Sequence, residues 1–596
     1  MSKTAPSFGK IMLASGLGTL IVLAIIGIFK LLVFFGIVGA ISSETSSASP
    51  KDTFLKIDLT KGMAERSPSE LDSWMSTDGT VGFIDMMRCI EVAANDDDIK
   101  GIYLYLGSMF PLSWGKSEEL RNALVAFCES GKPVLAYADN YSQQGYFVAS
   151  VADSIYLNPS GLVEFRGIGA EAMFFKELLD KLAVKMTLVR PKNNSFKSAG
   201  ETYTMNHLSD ANRTQLRQYI SSIWDYAVER IAEARDITPA RLNGMADSLS
   251  ACLPTDALSN GLIDRLCFEG DIKKSMENDY GTSKTVTLED YSKTALLRTF
   301  ASKEKIAVIY AEGDVIEGTG YKPAVYSDKI TKALDDAAED KSVKAIVLRI
   351  NSPGGQVTAS EIMTNAVLRA KAKKPVVVSM SDVAASAGYE ISCNADYIVA
   401  EPTTLTGSIG VFAAIPELGG TLKRHLGITT DTVKTNANAT ALSVMRPMSP
   451  AVLELMQRNI EEFYTVFVDR VAKGRGLDNR YVDSIARGRV WTGVDALKLG
   501  LVDALGGLDD AVAVAAEKAG LDSYKVEDYP APESLLMELL NRKNNSSGTA
   551  RLALQKPIVF SGDGVWVGGN MMIEALDRIL ETRGLQARVE FFLLTD

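Results

Sequence analysis

GKPVLAYADNYSQQGYFVASVADSIYLNP, residues 131–159, and KKPVVVSMSDVAASAGYEISCNADYIVAEP, residues 373–402, are two versions of one pattern. Gly145 matches Gly388, Asp153 matches Asp396 and Pro159 matches Pro402, each pair 243 residues apart. Upstream, DDDIKGIYLYLGS around Lys100 matches DKSVKAIVLRINS around Lys344. The apolar runs 54–59, 102–106 and 134–138 read as strands, and the same order recurs in 306–310, 345–350 and 376–379. Short apolar runs alternating with helical patterns are the mark of an α/β arrangement with crossovers. The chain therefore holds two tandem copies of one α/β unit, roughly 54–280 and 305–525.

An internal duplicate controls for whatever the fold alone requires, so the differences between the copies carry the chemistry. Where the second copy reads NSPGG at 351–355, the first reads GSMFP at 107–111, without the double glycine. Gln143 stands in the first copy where Ser386 stands in the second, and Phe165 where Ser408 stands. Both copies can fold, yet only the second keeps this polar set.

At 596 residues the chain exceeds a single ordinary core. A hydrophobic share of 46% with 23% charged residues places it among globular proteins. The net charge of -11 gives no electrostatic footprint for nucleic acid, which needs clustered Lys and Arg. Cys89, Cys128, Cys252, Cys267 and Cys393 form no CxxC or zinc spacing and read as buried structural residues. The only histidines, His207 and His425, lie in no HExxH motif, so hydrolytic chemistry here must draw on another base. No metal or other cofactor is expected.

Residues 11–29 carry no charge, and a second apolar run, 31–41, follows Lys30. That length is enough to span a bilayer and exceeds the apolar core of a cleavable signal. Lys3 and Lys10 precede the span while Glu44 and a serine-rich linker follow it. The positive-inside bias then puts the N-terminus in the cytoplasm and the remainder on the far side of the membrane. Lys30 is accommodated by snorkelling.

NSPGG follows a predicted strand, and a Pro-Gly-Gly turn exposes backbone N–H groups that can cradle a developing anion. Ser386, in SDVAASAGYEIS, falls after a predicted strand at the head of a helix, where the positive helix end favours an anion. A serine hydroxyl needs a base, and lysine, aspartate and glutamate are the candidates. In RPKNNSFKSAGE both Lys197 and Lys192 are available, and a lysine can serve only if burial lowers its pKa.

NSPGG, VSMSDVAASAGY and EPTTLTGSIG together resemble the signal peptide peptidase A family, of protease IV type, within the Clp protease and crotonase superfamily. The resemblance runs from about residue 54 to 526 and includes the duplication and the N-terminal anchor. It implies Ser386 as nucleophile and Lys197, in FKSAGE, as general base. It also implies that Ser408 orients the lysine and that Gly354 and Gly355 supply oxyanion N–H groups. The family has two glycines after the nucleophile, whereas this chain has Ala387 and then Gly388; the Ala387 N–H stays available, and its methyl bears on substrate preference.

The expectation is an α/β fold of two tandem ClpP/crotonase-like units plus one transmembrane helix. Its parts are an anchor and linker (1–50), a first unit supplying the lysine (51–300), a second supplying the serine (301–545) and a C-terminal segment (546–596). The expected function is a membrane-bound serine endopeptidase of the bacterial inner membrane, facing the periplasm, with no nucleic-acid partner. Its substrates would be signal peptide remnants and other short or unfolded hydrophobic peptides, since no Walker A motif is present to power unfolding. The family further implies a ring-like homo-oligomer, a tetramer. The rivals are a crotonase-type acyl-CoA enzyme and an inactive peptide-binding scaffold.

Overall fold

The computed structural model describes residues 51–67, 81–108, 110–296, 302–320, 323–530 and 586–588. The span expected over 11–41 lies outside them, and among the described residues no helix is long and apolar enough to cross a membrane.

The first unit contains β1 (Thr53–Asp58), β2 (Ile99–Gly107), β3 (Val134–Ala138), β4 (Ser154–Leu157), β5 (Lys185–Val189), β6 (Arg265–Leu266) and β7 (Thr285–Thr287). Six of these form a parallel sheet in the order β6-β4-β3-β2-β1-β7. The second unit runs through β8 (Lys305–Glu312), β9 (Val315–Ile316), β10 (Val325–Tyr326), β11 (Val343–Ser352), β12 (Gly354–Gln356), β13 (Val376–Ala385) and β14 (Tyr397–Ala400). It continues with β15 (Leu405–Gly407), β16 (Ala413–Glu417), β17 (Val490–Trp491), β18 (Ala504–Leu505) and β19 (Lys525–Asp528), and β20 (Gln586–Arg588) follows near the C-terminus. Its parallel path β18-β14-β13-β11-β8-β19 repeats the first sheet strand for strand. The central strands, such as AIVLRI in β11, are near-continuous apolar runs because both faces of a parallel sheet are covered.

The duplication extends to single hydrogen bonds. The Val134 N–H donates to Asp153 and the Val376 N–H to Asp396. The Tyr146 hydroxyl donates to the Leu262 carbonyl and that of Tyr389 to Leu501, both at 2.8 Å.

The units diverge at the C-terminal ends of the central strands. β3 stops after 5 residues, whereas β13 runs for 10 and reaches Ser386 without a break. Its added half, Val383 to Ala385, pairs with β15, which pairs antiparallel with β17. The sequence ends the predicted strand at residue 379; the chain stays extended to Ala385 because β15 offers it a partner. Likewise PGG is not a plain strand-to-helix turn, since Gly354 and Gly355 open β12, which pairs with β9 and, antiparallel, with β20.

The two units share a core. One face of the second sheet, with Val308, Val347 and Val377, packs into the same cluster as Leu120, Leu124 and Phe127 of the first unit. The other face, with Ile309, Leu348 and Val378, packs on Leu334, Met363 and Val367. A second junction is a two-stranded ribbon in which β5 pairs antiparallel with β16 from Ala413↔Val189 to Glu417↔Lys185. This ribbon carries the loop after β5 toward the end of β13. Of the five cysteines, all free, only Cys89 and Cys393 are buried; Cys128, Cys252 and Cys267 are half-buried at the edges of the packing.

Candidate active site

Ser386 is fully buried and joins β13 to the helix Ala387–Ser392. Its backbone sits at φ 56, ψ -114, an unusual conformation for a residue with a side chain, and its hydroxyl does not cap the helix. The equivalent junction in the first unit is relaxed: Ser142 has φ -68 and caps its helix through the Gly145 N–H. There Gln143 is tied to the backbone of Arg166 and Gly167, and Phe165 fills the neighbouring space against Tyr146 and Trp224. The strain at Ser386 is held by its N–H donating to the Gly407 carbonyl at 2.8 Å and by the Glu390 N–H donating back to the Ser386 carbonyl at 2.8 Å.

Lys197 arrives from the first unit on the loop after β5. It is 1% exposed, and its Nζ donates to Ser386 Oγ at 2.7 Å, to Ser408 Oγ at 3.0 Å and to the Ser408 carbonyl at 3.2 Å. The Ser386 hydroxyl is also 3.3 Å from the Gly410 carbonyl. Burial among apolar and neutral groups pushes the Lys197 amine well below the ordinary lysine range, because its charged form loses its water; the Glu390 carboxylate pulls weakly the other way. Glu390 is itself buried, is raised to about 7 by loss of water, and is opposed chiefly by Arg470, with which it pairs; its Oε2 accepts from Ser360 at 2.7 Å.

The loop is pinned on several sides. Arg190 donates to the Lys197 carbonyl at 3.0 Å, Gln215 holds the Phe196 carbonyl and Ser198, and the Phe196 N–H donates to the Arg487 carbonyl. Gly488 touches it most closely. A Cβ there would lie 2.4 Å from Lys197 Cβ and 2.5 Å from its backbone nitrogen, and φ is +80. Gly488→Ala should therefore displace the lysine, lowering turnover by about 10²-fold. Steady-state kinetics beside thermal melting checks this: a variant with full turnover would show that the contact is not required.

The structure brings Lys197, Ser386 and Ser408 together and sets Ala387 at the first helical position beside them. Gly354 opens β12, two residues past the end of the adjacent β11, with φ 105, and its N–H donates to Ser352 Oγ at 3.2 Å. Lys192, the rival base, is exposed and remote in role, its own N–H bonding to Glu461. His207 and His425 are both exposed. Sequence reasoning missed Gly488, Glu390 and the Gly410 carbonyl. Gly410 sat in the LTGSIG motif in plain view, but Gly488, in ARGRVW, carries no local signal.

Known proteins share the sequence pattern of this chain. The pattern of peptidase family S49 matches residues 126–283 and 369–522, more than half of the chain. Protease 4 of Salmonella typhi is 37% identical over 489 residues, covering 80% of this chain and 77% of that protein. The chloroplastic serine protease SPPA of Arabidopsis thaliana is 30% identical over 515 residues, covering 84% and 72%. Among solved structures, a ClpP1 point mutant from Listeria monocytogenes aligns with a TM-score of 0.24 at 15% identity, over 34% of this chain and 94% of that one. With its matching motifs falling on both copies of the duplicated unit, the chain belongs to peptidase family S49, a family of serine proteases.

Proposed function

We propose that this protease is a membrane-anchored endopeptidase that cleaves signal peptide remnants and other short or unfolded hydrophobic peptides through a Ser386–Lys197 dyad. The observation that carries the reading is a buried lysine amine 2.7 Å from a buried serine hydroxyl. The neutral amine takes the Ser386 proton as Oγ attacks the scissile carbonyl carbon, and the resulting ammonium returns that proton to the leaving amine. Water, deprotonated by the same amine, then attacks the acyl-enzyme, and the serine leaves with a proton restored to it. Ser408 holds the amine on its line to Ser386. The N–H groups of Ala387, Gly354 and Gly355 are the oxyanion donors in this reading, and the Ser352 hydroxyl turns aside to free that of Gly354.

An extended substrate would pair with β12 in place of β20, whose antiparallel seat on that strand supports this mode. Buried Lys197 requires activity above its depressed pKa and loss of activity as pH falls through it, since only the unprotonated amine accepts the proton. The kcat profile should therefore rise through one ionisation well below the usual lysine value of about 10.4. A profile flat from pH 5 to about 10 would contradict a lysine base. Acylation by a serine-directed probe, located by peptide mass spectrometry, should mark Ser386; a label elsewhere, with peptide hydrolysis intact, would refute the assignment.

The anchor at 11–41 and a periplasm-facing catalytic region complete the reading, together with assembly into a four-membered ring. Internal symmetry supports the ring. Ala183 and Gly427, both left-handed, end equivalent helices, so β5 corresponds to residues 429–433. β5 is paired within the chain, whereas Ile428 is 49% and Val433 fully exposed, in none of the described sheets. Residues 429–433 of one copy would pair with 170–174 of the next, as β5 pairs with β16. Val433→Pro should reduce the assembly to monomers in sedimentation velocity; an unchanged oligomer would rule out this contact.

A further inference from the structure

We propose that Arg349 is a positioning residue for the dyad: its guanidinium, sealed between the units, sets the first unit's docking against the two strands that carry Ser386 and Gly354. The inference rests on the dyad reading and concerns what aligns it. Arg349 is 1% exposed on β11. Its Nε donates to Glu65 at 2.9 Å, its Nη1 to Ser379 at 2.9 Å, and its Nη2 to both Ser381, at 3.0 Å, and Glu119. The two carboxylates belong to the first unit, with Glu119 in the helix Trp114–Cys128; the two serines lie on β13.

The same helix makes a second attachment. Lys116 Nζ pairs with the other Glu65 oxygen at 3.0 Å, while the Lys116 N–H and the Ser113 hydroxyl both donate to Asp382. Asp382 also accepts from the Asn351 side chain at 3.3 Å, and Asn351 in turn accepts from the Val383 N–H at 3.2 Å. One helix end of the first unit is thereby bonded to β11 just before Gly354 and to β13 just before Ser386.

The duplicate again separates fold from function. Tyr105 stands at the position of Arg349 and Tyr137 at that of Ser379, and their rings stack at 6.0 Å. The unit folds with an aromatic pair there. A buried ion cluster carries a desolvation cost that well-packed apolar groups avoid, so its advantage over tyrosines lies in register rather than in stability. Five N–H donors in a rigid plane suit that task, because they fix both the distance and the angle of their partners. Glu401 is fully buried beside this cluster, and its carboxyl is raised well above the ordinary range by loss of water and then by the neighbouring Glu119.

The test is Arg349→Met in the full-length enzyme, with kcat, KM and the pH profile measured beside thermal melting. The clamp predicts kcat lower by about 10²-fold with KM little changed, and an ascending limb moved to higher pH as the less enclosed Lys197 regains water. Arg349→Lys should recover only part of the loss, since one ammonium cannot hold four partners in a plane. Should Arg349→Met fail to fold, Ser379→Ala with Ser381→Ala keeps the arginine paired to Glu65 and Glu119 and cuts only the strand-side bonds; kcat should fall by about tenfold. Wild-type kcat and limb in a folded variant, even with a lowered Tm, would overturn the proposal. Failure of the dyad reading would look different: the wild-type enzyme itself would then lack the limb.

Discussion

Ser386→Ala is expected to abolish peptide hydrolysis, lowering kcat by on the order of 10⁴-fold or more, while the protein folds and assembles as before. The covalent step has no other oxygen to use, because Ser408 Oγ is occupied with the Lys197 amine and also lies 3.4 Å from the Gly488 carbonyl. Folding is spared for a physical reason. The Ser386 hydroxyl caps no helix, Lys197 keeps its bonds to Ser408 without it, and the strained backbone is held by main-chain bonds that alanine keeps. The measurement is turnover of a synthetic signal peptide by the purified variant, with circular dichroism and sedimentation as controls. Turnover near the wild-type rate would remove Ser386 from the mechanism.

Lys197→Met is expected to cost about 10³- to 10⁴-fold in kcat and to leave the melting temperature unchanged or raised. Methionine nearly matches the lysine in length and apolar volume, so the packing against Gly488 and the loop after β5 survives. What disappears is an amine buried at 1% exposure, and the desolvation cost removed with it offsets the three hydrogen bonds it makes to Ser386 and Ser408. The opposite movement of activity and stability separates a catalytic base from a structural lysine. A variant that lost stability and activity together would point to a structural role, and one that kept its activity would exclude Lys197 as the base.

The strands were readable because parallel sheets covered on both faces write themselves as apolar runs, and the internal repeat doubled that signal. The swap of Ser386 for Gln143 and of Ser408 for Phe165 was readable for a related reason. Two copies of one fold differ most where only one of them does chemistry. Lys197 was legible only through the FKSAGE resemblance, since a lysine beside small polar residues reads as surface and Lys192 looked no worse.

The sequence by itself therefore determined the duplicated α/β architecture, the unit that holds the candidate nucleophile Ser386 and the residue types able to serve it. Tertiary structure alone decided which lysine lies buried against Ser386. Burial lowers this pKa by removing water, and the groups that bury Lys197 come from segments 189 or more residues away, around Ser386, Ser408 and Gly488. Tertiary structure also decided the strained turn at Ser386, the extension of β13 along β15 and the clamp around Arg349. Each of these rests on a partner strand or helix distant in sequence, and local propensity carries no record of such partners.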